Sequence, residues 1–139
     1  MIAYVDSSVL LRKVLGQTGS LREWAVIEVG VASGLVQIEC LRTLDRLRLR
    51  AALSDRELSR RREAVFRLME SLELVDVTGP VLARAAQPLP TELGTLDAIH
   101  LATALLWSER ARSALVMATH DGALGIAARA CGLQVVGDG

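Results

Sequence analysis

Short β-rich runs alternate with helical patterns along the whole chain, and that alternation leaves few folds open. IAYVD at 2–6 is followed by SSVLLRKVLG, where Ser7 or Ser8 is placed to cap a helix that stops at Gly16. A short helix around 21–28, a VGVA strand and a long helix over about 34–52 come next. Ser54 with Glu57 three residues on reads as a capping box, opening a basic helix that runs to about Leu72. LELVDV at 72–77 is a strand, and Thr78-Gly79-Pro80 starts a short helix with proline in the tolerated first turn. After PLPTELG come the apolar helix TLDAIHLATALLW at 95–107, the strand ALVMAT at 114–119, a helix over 121–131 ended by Gly132, and a last strand LQVV.

Strands separated by helices pair in parallel through right-handed crossovers, and parallel strands need cover on both faces. The expected fold is α/β, a three-layer α/β/α sandwich around a central, mostly parallel sheet, with residues 1–139 as one domain. At this length roughly two-thirds of the unfolded surface can be buried. Half of the residues are apolar (51%) but only 3% are aromatic, so the core must come from Leu, Val, Ile and Ala. No apolar run approaches the ~18 residues of a membrane span, and Asp6 comes too early for a secretory signal, so the expected location is cytoplasmic. Cys40 and Cys131 lie in apolar helical patterns without metal-ligand spacing and read as reduced packing residues.

In such sheets ligands gather beyond the carboxyl ends of the strands. Asp6 ends the first strand, Asp121 falls just after ALVMAT, Asp97 opens a crossover helix, and Glu39 lies in the first turns of its helix. Singly, each acid has a plain reading as a helix-end charge. Asp6 is the most telling, since Ser7 or Ser8 can meet any capping need there. Together the four carboxylates can share one crevice, where their mutual repulsion calls for a divalent cation. Oxygen donors without paired His or Cys suit Mg²⁺ or Mn²⁺, an ion that polarises phosphoryl oxygens and so points to a phosphate-bearing substrate.

Charge is unevenly spread: residues 42–67 hold nine arginines against four acids, a net of +5, which leaves −5 elsewhere. Arg42 and Arg46 follow Glu39 on one helix face and can line a phosphate path; the rival reading of Arg42 is an ion pair with Glu39. His100, one turn after Asp97, reads as a hydrogen-bonded core residue rather than a general base. His120 reads as exposed. Thr119 is placed to orient Asp121 or a metal water, and the Ser7 and Ser8 hydroxyls read first as caps.

These segments resemble the PIN-domain nucleases, and among them the VapC-type toxins of toxin–antitoxin pairs, nearly end to end. YVDSSVLLR matches the family's opening strand and places its first acid on Asp6, with Ser8 in a supporting position. SGLVQIECLR puts the second acid on Glu39 and the following arginine on Arg42, TLDAIHLATA puts the third on Asp97, and ATHDGAL puts the fourth on Asp121 beside Thr119. Gly122 departs from the basic or bulky residue often found after the last acid. The resemblance implies a Mg²⁺- or Mn²⁺-dependent endoribonuclease with RNA as substrate, a homodimer, and a cognate antitoxin as partner. In that scheme Asp6 and Asp97 hold the principal ion, Asp121 and Glu39 complete its shell, and a metal-activated water hydrolyses the phosphodiester.

Other readings compete with it. A receiver-type phosphoacceptor needs an early acidic pair and a late lysine, whereas the only lysine is Lys13; a haloacid-dehalogenase phosphatase needs an aspartate where Ser8 stands. A PIN nuclease of RNA processing and a non-catalytic PIN-fold binding module remain as alternatives.

Overall fold

A computed structural model describes residues 1–139. Five strands, β1 (Ile2–Val5), β2 (Val29–Ser33), β3 (Glu73–Val75), β4 (Val116–Ala118) and β5 (Gln134–Val136), form one sheet in the order β3-β2-β1-β4-β5. Every strand pair is parallel, with Val5 opposite Ala118 and Tyr4 opposite Val31 in register. Helices α1 (Ser7–Val14), α2 (Leu35–Leu49), α3 (Asp55–Ser71), α4 (Gly79–Ala85), α5 (Thr95–Ala111) and α6 (Gly122–Ala130) make the connections, with a 3-10 turn at Arg22–Val26.

The period of two along each strand sorts side chains between two cores. Ala3, Val5, Ala32 and Ala118 point to one face, where Val9, Leu10, Val36, Leu44 and Val65 of α1, α2 and α3 cover them. Tyr4, Val31 and Met117 point to the other, against Leu101 and Ala104 of α5 and Leu124 and Ala127 of α6. The structure is thus the expected three-layer α/β/α sandwich. Leu101 is fully buried at the centre of the second core. Leu101→Ala should cost roughly 2–5 kcal/mol through lost transfer energy and the cavity left behind, read as a drop in the denaturant midpoint with an unchanged slope.

Several strands and helices are shorter than the sequence pattern suggests. The run 72–77 pairs only over Glu73–Val75, because β3 is an edge strand and its one neighbour stops at Ser33. The long helix ends at Leu49, where Ala51 takes a left-handed φ of 55° before Ser54 caps α3 by accepting from the Glu57 amide. Thr78 caps α4 as its sequence suggests. Gly137 (φ 95°) passes under the end of β4, where a Cβ would stand 2.7 Å from the Thr119 carbonyl oxygen.

Candidate active site

The strand order reverses direction at β1, so the chain leaves β1 and β4 side by side into helices on opposite faces. This opens a crevice beyond the carboxyl ends of the two central strands. Asp6 and Thr119 follow the paired residues Val5 and Ala118 and flank it. Asp6 is 3% exposed, and both its oxygens are engaged. Oδ1 accepts from the Ser8 hydroxyl at 2.5 Å and from the Val9 amide at 3.3 Å, while Oδ2 accepts from the Thr119 hydroxyl at 2.8 Å.

Asp6, and not Ser7 or Ser8, is therefore the N-cap of α1, a correction to the expectation from sequence. Its carboxylate carries two acceptor oxygens and reaches the helix and β4 together, which a serine hydroxyl cannot do. That frees the serines. Ser8 Oγ accepts the His120 amide at 2.9 Å, and Ser7 Oγ donates to Glu39 Oε2 at 3.1 Å. Thr119 serves two acids: its hydroxyl donates to Asp6 and accepts the Asp121 amide at 2.9 Å. Each of the two hydroxyls gives its proton to Asp6 and receives one from the backbone after β4, so the carboxylate is held at a fixed position.

Asp97 is half-buried at the third residue of α5, whose N-cap is Gly94. Its carboxylate caps nothing, and burial, then the charges of Asp121, Asp6 and Glu39, raise its pKa. Burial also raises Asp6 in spite of the hydrogen bonds it accepts from Ser8 and Thr119. Asp121 caps α6 by accepting the Leu124 amide at 3.0 Å. Glu39 comes in from α2 and meets His100 Nε2 at 2.6 Å. Burial and the neighbouring Glu39 and Asp6 charges also push the Cys40 thiol up to about 12, so this cysteine is an inert packing residue.

The structure therefore brings Asp6, Glu39, Asp97 and Asp121 into one electrostatic neighbourhood, and the chain's ion pairs leave all four without an arginine or lysine partner. No three acidic, His or Cys side chains close tightly enough to enclose an ion by themselves. The donor set still fits Mg²⁺ or Mn²⁺: all its atoms are carboxylate or hydroxyl oxygens, the charges of Asp121, Asp6 and Glu39 raise Asp97, and a hard cation keeps several of its waters.

Arg42 and Arg46 line a groove of about 410 Å³ together with Glu39, Ser7 and Leu96. Arg42 does not pair with Glu39; it leans to Asp45 at 3.5 Å, one turn further on, leaving Glu39 to Ser7 and His100. His120 is not exposed, another correction. The chain turns after Thr119, so its ring folds back on the tail, with Nδ1 2.7 Å from the Gly137 carbonyl oxygen. His100 is the core residue its apolar setting suggests, 1% exposed, but its link to Glu39 joins residues 61 positions apart and left no local signal.

A family model described as PIN domain matches residues 3–128. Among solved structures, a toxin–antitoxin complex from Klebsiella pneumoniae superposes with a TM-score of 0.64 at 16% identity, covering 88% of this chain and 89% of that one. VapBC2 from Rickettsia felis, bound to a DNA fragment from its promoter, gives a TM-score of 0.64 at 14% identity over 97% of both chains. At such identities the likeness is one of fold. No curated protein matches the sequence.

Proposed function

The chain belongs to the PIN-domain family, and from that premise we propose that it is a Mg²⁺- or Mn²⁺-dependent endoribonuclease, the toxin of a toxin–antitoxin pair. The observation that carries this reading is a crevice with four carboxylates, none paired with an arginine or lysine, in which Asp97 has no hydrogen-bond partner. When bound, the ion supplies Lewis-acid activation of water and stabilises charge on the phosphoryl group. Asp97 and Asp6 would hold it, with Asp121 and Glu39 contributing directly or through water. Ser8 and Thr119 keep Asp6 in place. Arg42 and Arg46 sit in the groove beside Glu39, where they can bind the phosphates that flank the cleaved bond.

The partners follow from the same reading. The same groove is bordered by Ile38 and Leu96, 60% and 49% exposed, and that pairing of apolar and basic side chains suits a cognate antitoxin segment. We take the chain to act as a homodimer, as its family resemblance implies. Incubating the protein with structured RNAs and single-stranded DNA, with Mn²⁺ or with EDTA, and mapping the cut ends tests the activity. RNA cut only with the metal supports the proposal; cleavage that persists in EDTA refutes it. Replacing Arg42 and Arg46 together by alanine should raise KM about tenfold and flatten the salt dependence of cleavage, each phosphate contact contributing to the slope.

A further inference from the structure

One hydrogen-bonded chain runs through the core and ends on a candidate metal donor. The Ser33 amide, at the end of β2, donates to Tyr4 Oη at 3.1 Å. Tyr4 Oη meets His100 Nδ1 at 2.6 Å, and His100 Nε2 meets Glu39 Oε1 at 2.6 Å. Tyr4 is fully buried and His100 is 1% exposed. The link crosses the molecule: Tyr4 and His100 belong to the face of the sheet covered by α5, whereas Glu39 arrives on α2 from the opposite layer.

The polarity of the chain can be worked out from its two ends. Burial above all holds the Tyr4 phenol well above the ordinary tyrosine value, so it keeps its proton. At the other end the Glu39 carboxylate can only accept, so His100 Nε2 carries a proton, and the Tyr4 O–H faces Nδ1, the nitrogen left to accept it. An imidazole whose Nδ1 accepts carries its proton on Nε2, and that N–H donates to Glu39.

We propose that His100 is a positioning residue for Glu39: the Tyr4 hydroxyl locks the imidazole as the Nε2–H tautomer, and that N–H holds the carboxylate in the crevice it shares with Asp97. The inference rests on the reading of Glu39 as a metal donor. A glutamate has three side-chain torsions to immobilise, and the like charges of Asp97 and Asp6 would drive it outward into solvent. His100 on Oε1 and Ser7 on Oε2 oppose that, and each takes one lone pair, leaving the second on each oxygen free for a cation.

The test combines the tautomer with metal affinity. Long-range ¹H–¹⁵N correlation spectra of the wild-type protein should show His100 as the Nε2–H form; an Nδ1–H form overturns the proposal without any variant. Calorimetric titration with Mn²⁺ should show Kd raised about tenfold in His100→Leu, as expected for loss of a group that orients a donor. His100→Gln, whose amide can stand where Nε2 stood, should recover most of that affinity, and Tyr4→Phe should lie between wild type and His100→Leu. Cleavage by His100→Leu should fall at limiting Mn²⁺ and recover at saturation, which a merely structural role would not produce. In a Glu39→Ala background His100→Leu should change nothing further. If Glu39→Ala raises Kd while both His100→Leu and Tyr4→Phe leave it unchanged, the positioning role is refuted; if Glu39→Ala itself has no effect, it is the metal assignment of Glu39 that fails.

Discussion

Asp97→Asn is expected to reduce Mn²⁺-dependent RNA cleavage at least about 100-fold while making the metal-free protein more stable. The two effects have one cause. The carboxylate has no hydrogen-bond donor, and it is raised by burial and by the charges of Asp121 and Asp6, so its ionised form is disfavoured in the fold. An amide of the same shape removes that cost and removes the donor. Because Asp97 is half-exposed, solvent screening limits the gain to about 2–4 °C in Tm.

The pH dependence follows with its sign. A carboxyl whose folded pKa lies above the ordinary aspartate value of 3.8 contributes stability that is fully present below that value and is lost as pH rises through the folded pKa. The metal-free wild type should therefore lose stability from these groups as pH rises above 3.8, part of that slope should vanish in Asp97→Asn, and Mn²⁺ should restore the midpoint at the higher pH. Thermal melts across this range, with and without metal, check all three. A variant that melts as the wild type does at every pH would remove the argument for repulsion at the site.

Asp6→Asn should also abolish cleavage, but with the opposite effect on stability, lowering it by about 1–3 kcal/mol. The Asp6 carboxylate accepts from Ser8, Thr119 and the Val9 amide. An asparagine offers one acceptor oxygen, and its NH₂ would face a hydroxyl whose proton then has nowhere to go. Burial also raises Asp6, so some desolvation cost is relieved; at 3% exposure the broken hydrogen bonds outweigh it. Denaturant unfolding of the two variants side by side gives the comparison. Equal stabilisation by both would mean that the Ser8 and Thr119 clamp contributes little to the fold.

Much of the architecture was legible from local pattern. The capping residues Ser54 and Thr78 announce α3 and α4 because a cap and its helix lie within one turn of each other. Strand and helix alternation implied the parallel sheet, and the acids at the end of IAYVD and after ALVMAT were placed at its carboxyl edge. The cap of α1 was misread for the same reason that others were read correctly. Ser7 and Ser8 are good caps locally, but the competition was decided by Thr119 and the His120 amide, more than 100 positions away. His100 had the same difficulty: an imidazole on an apolar helix announces a partner but not which one, and Glu39 became that partner only when the fold brought α2 and α5, from opposite faces of the sheet, to the same edge.

By itself the amino-acid order determined the α/β class, the periodicity that sorts side chains to two cores, and the identity of the acids at the sheet edge, because these depend on spacing within one element. The tertiary structure alone decided the strand order β3-β2-β1-β4-β5, which hydroxyl serves which carboxylate, that Asp97 stands unpartnered, and that His100 reaches Glu39. Each of these is a choice among partners far apart in the chain, settled by burial, which leaves every enclosed polar group to find whichever donor or acceptor the packing has brought within reach.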